Sequence, residues 1–353
     1  MAHVDLVHLW KTYNEQAGPI VRNLSLAIGD GELVSLLGPS GCGKTTTLRM
    51  VAGLEFPDAG EIIIGDRNVV PLPARDRDIA LVFQQYALYP HMTVRENLEY
   101  PLKIQKLTKD EITRRVDDAA RLLNLTNKMD RKPGELSGGE QQRVALGRAI
   151  VRRPRVFQMD EPLSNLDAIL RVQTRAHLKA LQRETGVTTI IVTHDQSEAM
   201  SMSDRIAVMN QGVIQQVGEP DHLYQHPAST FVAGFIGDPP MNLMDGERTG
   251  DGIVIDGSWV VPAPADFPQG PVTVGARPEN IRLSVTEKEG WHPMTVYISE
   301  PQGSETIVNL HQGEKFIRVV TEPEIRPDPN ETVWVNLERG ALRLFDATTG
   351  QAI

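Results

Sequence analysis

The segment Gly38–Thr45, with the sequence GPSGCGKT, constrains the fold of this chain more than any other. It follows the pattern G-x-x-x-x-G-K-[S/T] and lies between a strand-like apolar run, Glu32–Leu37, and a helical run, Lys44–Ala52. The glycines permit a tight loop whose backbone N–H groups converge on phosphate oxygens, and the start of the helix adds a favourable potential. Lys44 can neutralise the terminal phosphates and the Thr45 hydroxyl can ligate Mg2+. The pattern therefore predicts a nucleotide phosphate site.

The first 236 residues alternate between strand-like apolar runs and longer helical patterns, which is typical of a parallel α/β sheet. Val156–Met159 and Thr188–Val192 are two more candidate central strands, and Thr93–Asn124 is predicted to be mainly helical. The last third instead contains short apolar segments punctuated by Gly and Pro, which predicts a small all-β barrel. The candidate strands of the barrel include Ile253–Ile255, Thr332–Leu337 and Leu342–Leu344.

The acidic residues are unevenly distributed along the chain. Residues 237–353 carry 18 acidic and 9 basic side chains, a net charge of −9, whereas the whole chain carries −10. The same segment holds 12 of the 24 prolines. This shift predicts a boundary near Gly237–Pro240, with one domain at residues 1–236 and another at residues 237–353. Because an acidic lobe repels phosphate backbones, nucleic acid is not an expected partner.

Three features of the sequence bear on its cellular compartment. Cys42 is the single cysteine, which excludes a disulfide framework and fits a reducing environment. Met1–Trp10 lacks the basic start and the apolar middle of a signal peptide. No run approaches the ~18 consecutive apolar residues of a membrane span. We therefore expect the chain in the cytosol or on the cytosolic side of a membrane.

Two carboxylates, Asp160 and Glu161, end the candidate strand Val156–Met159. Asp160 can hold Mg2+ through its bound waters, and Glu161 can orient and deprotonate an attacking water. Within the strand, Gln158 is a polar residue among apolar ones. We expect its amide to find a hydrogen-bond partner or to lie against a polar face.

The segment Leu136–Arg143, with the sequence LSGGEQQR, predicts a second anion site. Ser137 can cap the helix that follows, and the paired glycines Gly138 and Gly139 leave backbone donors free at its positive end. Taken by itself, the segment also fits an ordinary glycine-rich helix start. If both sites cannot hold the same nucleotide, the second serves the ATP of another chain, and two copies related by a two-fold axis satisfy both pairs.

These motifs and their order resemble the ATPase subunit of an ATP-binding cassette (ABC) importer. The matching parts are Tyr13, Gly38–Thr45, Gln84 in VFQQY, Leu136–Gln141, Asp160–Glu161, the loop Ser164-Asn165-Leu166-Asp167, and His194 in VTHD. The resemblance covers essentially the whole chain. It implies an α/β P-loop ATPase, namely an ABC cassette with a helical subdomain at about residues 93–150, followed by a small all-β OB-like barrel at residues 237–353.

The resemblance also implies roles for the matching residues. Tyr13 is expected to stack on adenine, and Glu161 to act as general base, with Lys44 and His194 as further catalytic residues. His194 is expected to contact the γ-phosphate and to link it to Asp167 across a dimer. The expected ligands of Mg2+ are Thr45, Gln84 and Asp160. The remaining ATP-binding residues are Gly38, Pro39, Ser40, Gly41, Cys42, Gly43, Lys44, Thr45 and Thr46 of the loop, Gln84, and, toward the opposite subunit, Ser137, Gly138, Gly139, Gln141 and Asp167.

Partners follow from the same resemblance. Such an ATPase works as a homodimer that closes on ATP and reopens after hydrolysis. Two transmembrane permease subunits are expected to dock near Thr93–Asn124, and an extracytoplasmic solute-binding protein completes the complex. The chain is therefore expected at the cytoplasmic face of the membrane. The acidic barrel is expected to dimerise and regulate, with a regulatory protein as a candidate partner.

Several segments resemble the maltose- and glycerol-3-phosphate-type importers and favour a sugar or a glycerol-3-phosphate-like solute. They are Gln85–His91, Leu163–Ala168, Phe235–Asn242 and Arg277–Glu279. Polyamine and ferric-iron importers share much of this layout and stay open as alternatives. A soluble ABC ATPase acting on DNA or ribosomes is a further alternative, although the chain has neither a coiled-coil insertion nor a second cassette. Gln158 and Asp238 depart from the residues usual in the family.

Overall fold

A computed structural model describes residues 2–164, 166–250, 252–255, 257, 259–262, 269–313, 315–337 and 339–353. Asn165, in the loop before Asp167, lies outside these residues. The chain divides into two compact units, Met1–Pro220 and Asp221–Ile353. The boundary at residue 236, which the composition suggests, stays a prediction.

The first unit combines two sheets with helices. Its strands are β1 (Val4–Lys11), β2 (Val21–Ile28), β3 (Leu33–Leu37), β4 (Ala59–Ile64), β5 (Arg67–Asn68), β6 (Ile79–Val82), β7 (Val156–Asp160), β8 (Thr188–Thr193), β9 (Arg205–Asn210) and β10 (Val213–Gly218). Its α-helices are α1 (Lys44–Ala52), α2 (Val94–Ile104), α3 (Lys109–Leu122), α4 (Gly138–Ile150), α5 (Ala168–Thr185) and α6 (Gln196–Met202).

The larger sheet has the strand order β10-β9-β3-β8-β7-β6, and all its strands are parallel except β10, which pairs antiparallel with β9. β3 is buried along its whole length. Because β3, β8 and β7 are neighbours and parallel, their carboxyl ends meet at one edge of the sheet. The phosphate loop, His194 and Asp160–Glu161 follow these three ends. The fold therefore assembles the predicted motifs at one edge.

The predicted elements of this unit are confirmed. Helix α1 has the predicted bounds, and β3, β7 and β8 differ from the predicted strands by one residue at one end. The helical segment Thr93–Asn124 consists of α2 and α3, whose first turns are capped by the hydroxyls of Thr93 and Thr108. The smaller sheet is antiparallel, in the order β2-β1-β4-β5. Its apolar side chains share one core with α1.

The second unit contains the helices α7 (Pro220–Gln225, which begins at the unit boundary) and α8 (Thr230–Phe235) and two antiparallel sheets that form an OB-like half-barrel. The sheet orders are β13-β12-β11-β14-β20 and β15-β19-β16-β17-β18. The strands are β11 (Asn242–Thr249), β12 (Gly252–Ile255), β13 (Trp259–Pro262), β14 (Gly270–Ala276), β15 (Ile281–Ser284), β16 (His292–Pro301), β17 (Thr306–Gln312), β18 (Lys315–Thr321), β19 (Thr332–Leu337) and β20 (Arg343–Asp346). The all-β character predicted for the last third is confirmed.

Arg277 anchors the start of the half-barrel to the helices that precede it. Its side chain is 3% exposed and donates hydrogen bonds to the carbonyl oxygens of Tyr224, Ala233 and Ile236. The guanidinium also lies 3.9 Å from the ring centroid of Tyr224. The hydroxyl of Tyr224 in turn donates to Glu279 Oε1 at 2.6 Å. A single buried cation thus fixes α7, α8 and β14 together.

Within the described part of the chain, no helix combines the length and apolar character needed to cross a membrane.

Candidate functional site

The side chain of Lys44 lies inside the loop that precedes α1. It is 6% exposed, and its ammonium donates to the carbonyl oxygens of Gly38 at 2.7 Å and Pro39 at 2.9 Å. These contacts hold the charge where the sequence predicts the terminal phosphates of a nucleotide. Ser40 and Gly41, at the tip of the loop, are exposed. The loop therefore presents free backbone donors beside a buried cation.

Two glycines of the loop are sterically required. A Cβ atom at Gly38 would lie 2.2 Å from the carbonyl oxygen of Met209. Gly43 caps α1 with a φ of +101°, and its Cβ atom would lie 2.7 Å from the carbonyl oxygen of Ile20. Cys42 is buried, with Sγ 3.8 Å from Lys44 Nζ. The loop thus depends on small residues that let it pass between neighbouring strands.

Thr45 and Asp160, two of the residues predicted to hold Mg2+, are in direct contact. Thr45 Oγ1 donates to Asp160 Oδ1 at 3.2 Å. Burial raises the pKa of Asp160, an effect that the hydrogen bond from Thr45 partly opposes. A hydroxyl and a poorly solvated carboxylate beside a phosphate loop fit the oxygen preference of Mg2+. No cluster of three or more His, Cys, Asp or Glu that could hold a metal occurs among the described residues.

Gln84, Glu161 and His194 form a second group of contacts at the same edge. The amide nitrogen of Gln84 lies 3.3 Å from Glu161 Oε2, and His194 Nδ1 lies 3.1 Å from Glu161 Oε1. Gln84 also donates to Ser164 Oγ at 3.2 Å. Glu161 has a φ of +46°, which turns the chain sharply after β7. The carboxylate is therefore held from two sides and is well placed to accept a proton from water.

The segment Ser137–Gln141 forms the predicted N-terminal turn of α4. Ser137 Oγ accepts from the Glu140 backbone N–H at 3.3 Å, and the Glu140 carboxylate accepts from the Ser137 N–H at 2.9 Å. The hydrogen bond from the Ser137 backbone N–H, together with Lys128, lowers the pKa of Glu140. Gly138 is exposed and Gly139 is buried against Leu170. The first backbone donors of α4 thus lie beside a small exposed surface.

The remaining predicted site residues make separate contacts. Tyr13 is 56% exposed, with Lys11 Nζ 5.3 Å from its ring centroid, so one face is open for stacking. Thr46 is half-buried in α1. Asp167 caps α5 through a 3.0 Å hydrogen bond from the Leu170 N–H. Gln141 donates its side-chain amide to the carbonyl oxygens of Pro133 and Leu136.

The two phosphate-binding segments are not joined in one chain. Among the described residues, no hydrogen bond or ion pair connects Ser137–Gln141 with Gly38–Thr46. By contrast, Thr45 contacts Asp160, and Gln84 and His194 contact Glu161. Within one chain, the backbone donors at the start of α4 are therefore not linked to the loop that would bind the nucleotide phosphates.

Several polar residues of this edge have no role in the sequence-based prediction. Ser164, Arg171, Thr193, Asp195 and Glu198 line a small pocket together with Glu161 and His194. Gln142 was also missed: it is fully buried and donates to the carbonyl oxygen of Pro162 at 2.7 Å, which ties α4 to the turn after Glu161. The signal for Gln142 is a polar residue on the buried face of a helix. Arg171 has the weaker signal of lying one turn after the cap Asp167.

Gln158 does not meet the expectation set by its sequence position. Its side chain is fully buried in β7, and neither amide atom has a hydrogen-bond partner among the described residues. Its neighbours in the sheet are Leu81 on β6 and Ile190 on β8. The expectation of a hydrogen-bond partner was wrong, because the amide lies in the buried interior of the sheet with Leu81 and Ile190 as its register neighbours.

A cavity among the described residues lies away from this edge. Its volume is about 690 Å³, and its lining includes Arg115 of α3, Phe157 and Met159 of β7, and Leu178 and Leu181 of α5. No residue of the phosphate loop borders it. The cavity therefore belongs to the packing between the helical region and the sheet rather than to the nucleotide site.

The chain matches three protein families along its length. Residues 21–164 match the ABC transporter family, residues 237–281 the MalK OB fold domain, and residues 274–345 the TOBE domain.

Relatives with assigned functions align over their full lengths. The chain is 52% identical to the trehalose/maltose import ATP-binding protein MalK of Thermococcus litoralis. It is 47% identical to the sulfoquinovosyl glycerol transport ATP-binding protein SmoE of Agrobacterium fabrum, and 48% identical to the sn-glycerol-3-phosphate import ATP-binding protein UgpC of a Jannaschia species. Each alignment covers 100% of both chains.

A solved structure of similar fold is a dimeric ATP-binding cassette in a post-hydrolysis state with bound ADP and Pi. It matches with a TM-score of 0.55 and 33% identity, over 62% of this chain and 98% of that chain. Another is cbiO1 of Clostridium perfringens, described as part of the ABC transporter complex cbiONQ, with a TM-score of 0.58 and 27% identity over 63% of this chain and 90% of that chain.

Proposed function

This chain belongs to the family of ABC transporter ATP-binding subunits and is an ATP-binding and ATP-hydrolysing importer subunit, and we propose which of its residues bind ATP and which hydrolyse it. The observation that carries the proposal is the convergence of Lys44, the Thr45–Asp160 pair and the Glu161–His194 pair at one sheet edge. These groups supply a cation for phosphates, oxygen ligands for a metal and a base for water.

In the proposed reaction, the loop N–H groups and Lys44 bind the β- and γ-phosphates. The γ-phosphate oxygens would accept hydrogen bonds from the same ammonium group that donates to the carbonyl oxygens of Gly38 and Pro39. Glu161 accepts a proton from the attacking water, and Gln84 and His194 orient its carboxylate from the two sides. Tyr13 stacks on the adenine ring through its exposed face.

We infer that Mg2+ is the metal cofactor. Thr45 and Asp160 would bind it directly or through water, with Gln84 as a further ligand. When bound, it neutralises phosphate charge that develops during transfer. The raised pKa of Asp160 supports this assignment, because a nearby divalent cation would stabilise the ionised carboxylate that burial disfavours.

The active form in this proposal is a homodimer. The donors of Ser137, Gly138 and Gly139 have no phosphate partner within their own chain, and the two-fold arrangement offers them the γ-phosphate of the opposite subunit. The similarity to a dimeric cassette supports this arrangement. Asp167, with Gln141 holding the turn before α4, would border the interface.

We further propose that the subunit acts at the cytoplasmic face of a membrane with two permease subunits and an extracytoplasmic solute-binding protein. The solute class is a sugar or a glycerol-3-phosphate-like compound. Support comes from the relatives named for trehalose/maltose, sulfoquinovosyl glycerol and sn-glycerol-3-phosphate, whereas nothing favours the polyamine, ferric-iron or soluble alternatives. A regulatory protein at the half-barrel remains part of the proposal, supported by the MalK OB and TOBE matches.

The test compares the wild type with Glu161→Gln, both as purified chains and after co-purification with the membrane subunits. We expect the wild type to hydrolyse ATP, and Glu161→Gln to lose at least about a hundredfold in rate while forming a stable dimer with ATP. Glu184→Gln, at an exposed carboxylate on α5, is the matched control and should keep the wild-type rate. Absence of hydrolysis by the wild-type complex, or full activity of Glu161→Gln, contradicts the assignment.

The solute class is tested separately, by uptake into vesicles that contain the complete transporter. ATP-dependent uptake of maltose, trehalose or glycerol-3-phosphate supports the proposed class. Uptake of spermidine or ferric iron, with none of those solutes transported, overturns it.

A further inference from the structure

The guanidinium of Arg171 joins two loops of the nucleotide site. Its Nη1 atom lies 3.4 Å from Asp195 Oδ2, and its Nη2 atom donates to the carbonyl oxygen of Leu166 at 3.2 Å. Asp195 follows His194, and Leu166 precedes Asp167. One side chain on the first turns of α5 therefore contacts the neighbours of both residues.

Asp195 uses its two carboxylate oxygens for different purposes. Oδ1 accepts from the Glu198 N–H at 3.1 Å and caps α6, which leaves Oδ2 for Arg171. The Asp195 N–H donates to Thr193 Oγ1 at 3.0 Å, and that hydroxyl donates to the buried carboxylate of Glu198 at 2.7 Å. The backbone on both sides of His194 is thus fixed.

The pair is better suited to setting geometry than to stabilising the fold. The side chains of Arg171 and Asp195 are 36% and 26% exposed, and partly exposed ion pairs contribute little to the stability of a protein. The planar guanidinium, however, reaches the carboxylate and the carbonyl at a fixed separation, which an ammonium group cannot do. A change in the position of one loop is therefore transmitted to the other.

We propose that Arg171 is a positioning residue that couples the His194 loop to the Leu166–Asp167 loop within one subunit. The inference rests on the proposed function, in which His194 contacts the γ-phosphate and Asp167 borders the opposite subunit. Loss of the γ-phosphate contact at His194 then moves the Asp167 loop of the same chain. Through Arg171, the state of one ATP site reaches the interface with the other.

Four variants test this coupling. Arg171→Gln removes the charge, and Arg171→Lys keeps the charge without the planar fork. Asp195→Asn removes the ion pair but retains a good helix cap, so α6 should stay folded. The double variant Arg171→Gln/Asp195→Asn measures whether the two groups act together. Arg183→Gln is the control, because Arg183 is an exposed arginine in the last turn of the same helix.

We expect Arg171→Gln to lower the hydrolysis rate of the transporter complex about tenfold and to bring the Hill coefficient for ATP close to 1. ATP binding by the isolated chain should change less than about twofold, because the side-chain hydrogen bonds of Arg171 within the described part of the chain go to Asp195 and Leu166 and not to the phosphate loop. Arg171→Lys should recover part of the rate, and the double variant should be no worse than Arg171→Gln. A wild-type Hill coefficient in Arg171→Gln, or additive losses in the double variant, overturns the coupling.

A second measurement does not depend on hydrolysis. In the nucleotide-free chain, amide hydrogen exchange should rise in both segments 166–170 and 194–198 for Arg171→Gln, with α1 unchanged. Faster exchange confined to one segment, or in neither, overturns the inference. This outcome is distinct from failure of the proposed function, which shows as absence of ATP hydrolysis by the wild-type complex while the exchange result still stands.

Discussion

The Nδ1 atom of His194 lies 3.1 Å from Oε1 of Glu161, so the residue after β8 and the residue after β7 are in direct contact. The two strands are parallel neighbours, and Asp160 pairs with Val192 in their register. The pairing of β7 with β8 therefore brings together the residues that we propose as general base and as γ-phosphate contact.

This contact predicts the effect of removing the histidine. His194→Ala should lower the ATP hydrolysis rate at least about a hundredfold, because the carboxylate of Glu161 loses one of the two groups that orient it. ATP binding to the isolated chain should be retained, since Lys44 and the loop are unchanged. His177→Ala, at an exposed position on α5, is the control for ATPase assays and should be silent. Near-wild-type hydrolysis by His194→Ala would remove the histidine from the mechanism.

The burial of Asp160 predicts an opposite effect on stability and activity. Burial raises the pKa of this carboxylate, so keeping it ionised costs free energy in the folded chain. Asp160→Asn, which retains an oxygen for Thr45, should raise the melting temperature of the nucleotide-free chain by about 1–3 °C and abolish hydrolysis.

The higher melting temperature of Asp160→Asn should be present at pH 7. It should vanish as the pH falls through the raised pKa of Asp160 toward the ordinary value of a carboxyl group, because the wild-type side chain is then also neutral. Thermal melts of both proteins across this range measure it. An equal difference in melting temperature at every pH contradicts the explanation by burial.

The unpaired amide of Gln158 predicts that an apolar residue is better tolerated there. Gln158→Met keeps a similar volume and removes two polar atoms that have no partner among the described residues, so the free energy of unfolding should rise by about 1–2 kcal/mol. Gln142→Met is the contrasting variant, because the Gln142 amide donates to Pro162 and its loss should destabilise the chain. Chemical denaturation distinguishes the two, and destabilisation by Gln158→Met would point to an unseen partner.

Tyr224 predicts the behaviour of the second unit at high pH. Burial, followed by the hydrogen bond to Glu279, raises the pKa of Tyr224 from 10.0 to about 12. The unfolded chain therefore loses this proton at lower pH than the folded chain does, and the stability falls as the pH rises from about 10 to 12.

Tyr224→Phe should reduce this loss of stability by about 1 kcal/mol. The value is smaller than the free energy that corresponds to the whole pKa shift, because the ring is partly exposed. Denaturation of the full chain at pH 9 and pH 11.5 measures the difference. Tyr297→Phe, at a tyrosine that is 60% exposed, should leave the fall unchanged. An identical loss of stability in Tyr224→Phe and wild type contradicts the assignment.

The parts of the site that local patterns encode could be predicted from the sequence. The loop before α1, the acids after β7 and the cap of α4 each depend on residues close together in the chain, so spacing and residue type sufficed. Sequence order also placed the three motifs at one edge, because parallel strands with short loops bring their carboxyl ends together.

Contacts between segments that are distant in the chain could not be predicted from local sequence patterns. Arg171 and Asp195 are separated by 24 positions, and nothing in either local sequence says that α5 and α6 meet. The lack of a partner for Gln158 depends on which side chains of α1 face β7, which is a property of tertiary packing. Residue type alone could raise the question of a partner for Gln158, but could not answer it.

The capped geometry of Ser137 has a consequence for chemical selectivity. Its oxygen already accepts a hydrogen bond from the Glu140 N–H, which leaves the hydroxyl hydrogen as the group it offers outward. With the neighbouring backbone N–H groups, the tip of α4 offers donors. A surface of hydrogen-bond donors selects for groups that accept hydrogen bonds. It therefore binds a fully deprotonated phosphoryl group, and it provides no acceptors for ammonium or guanidinium groups.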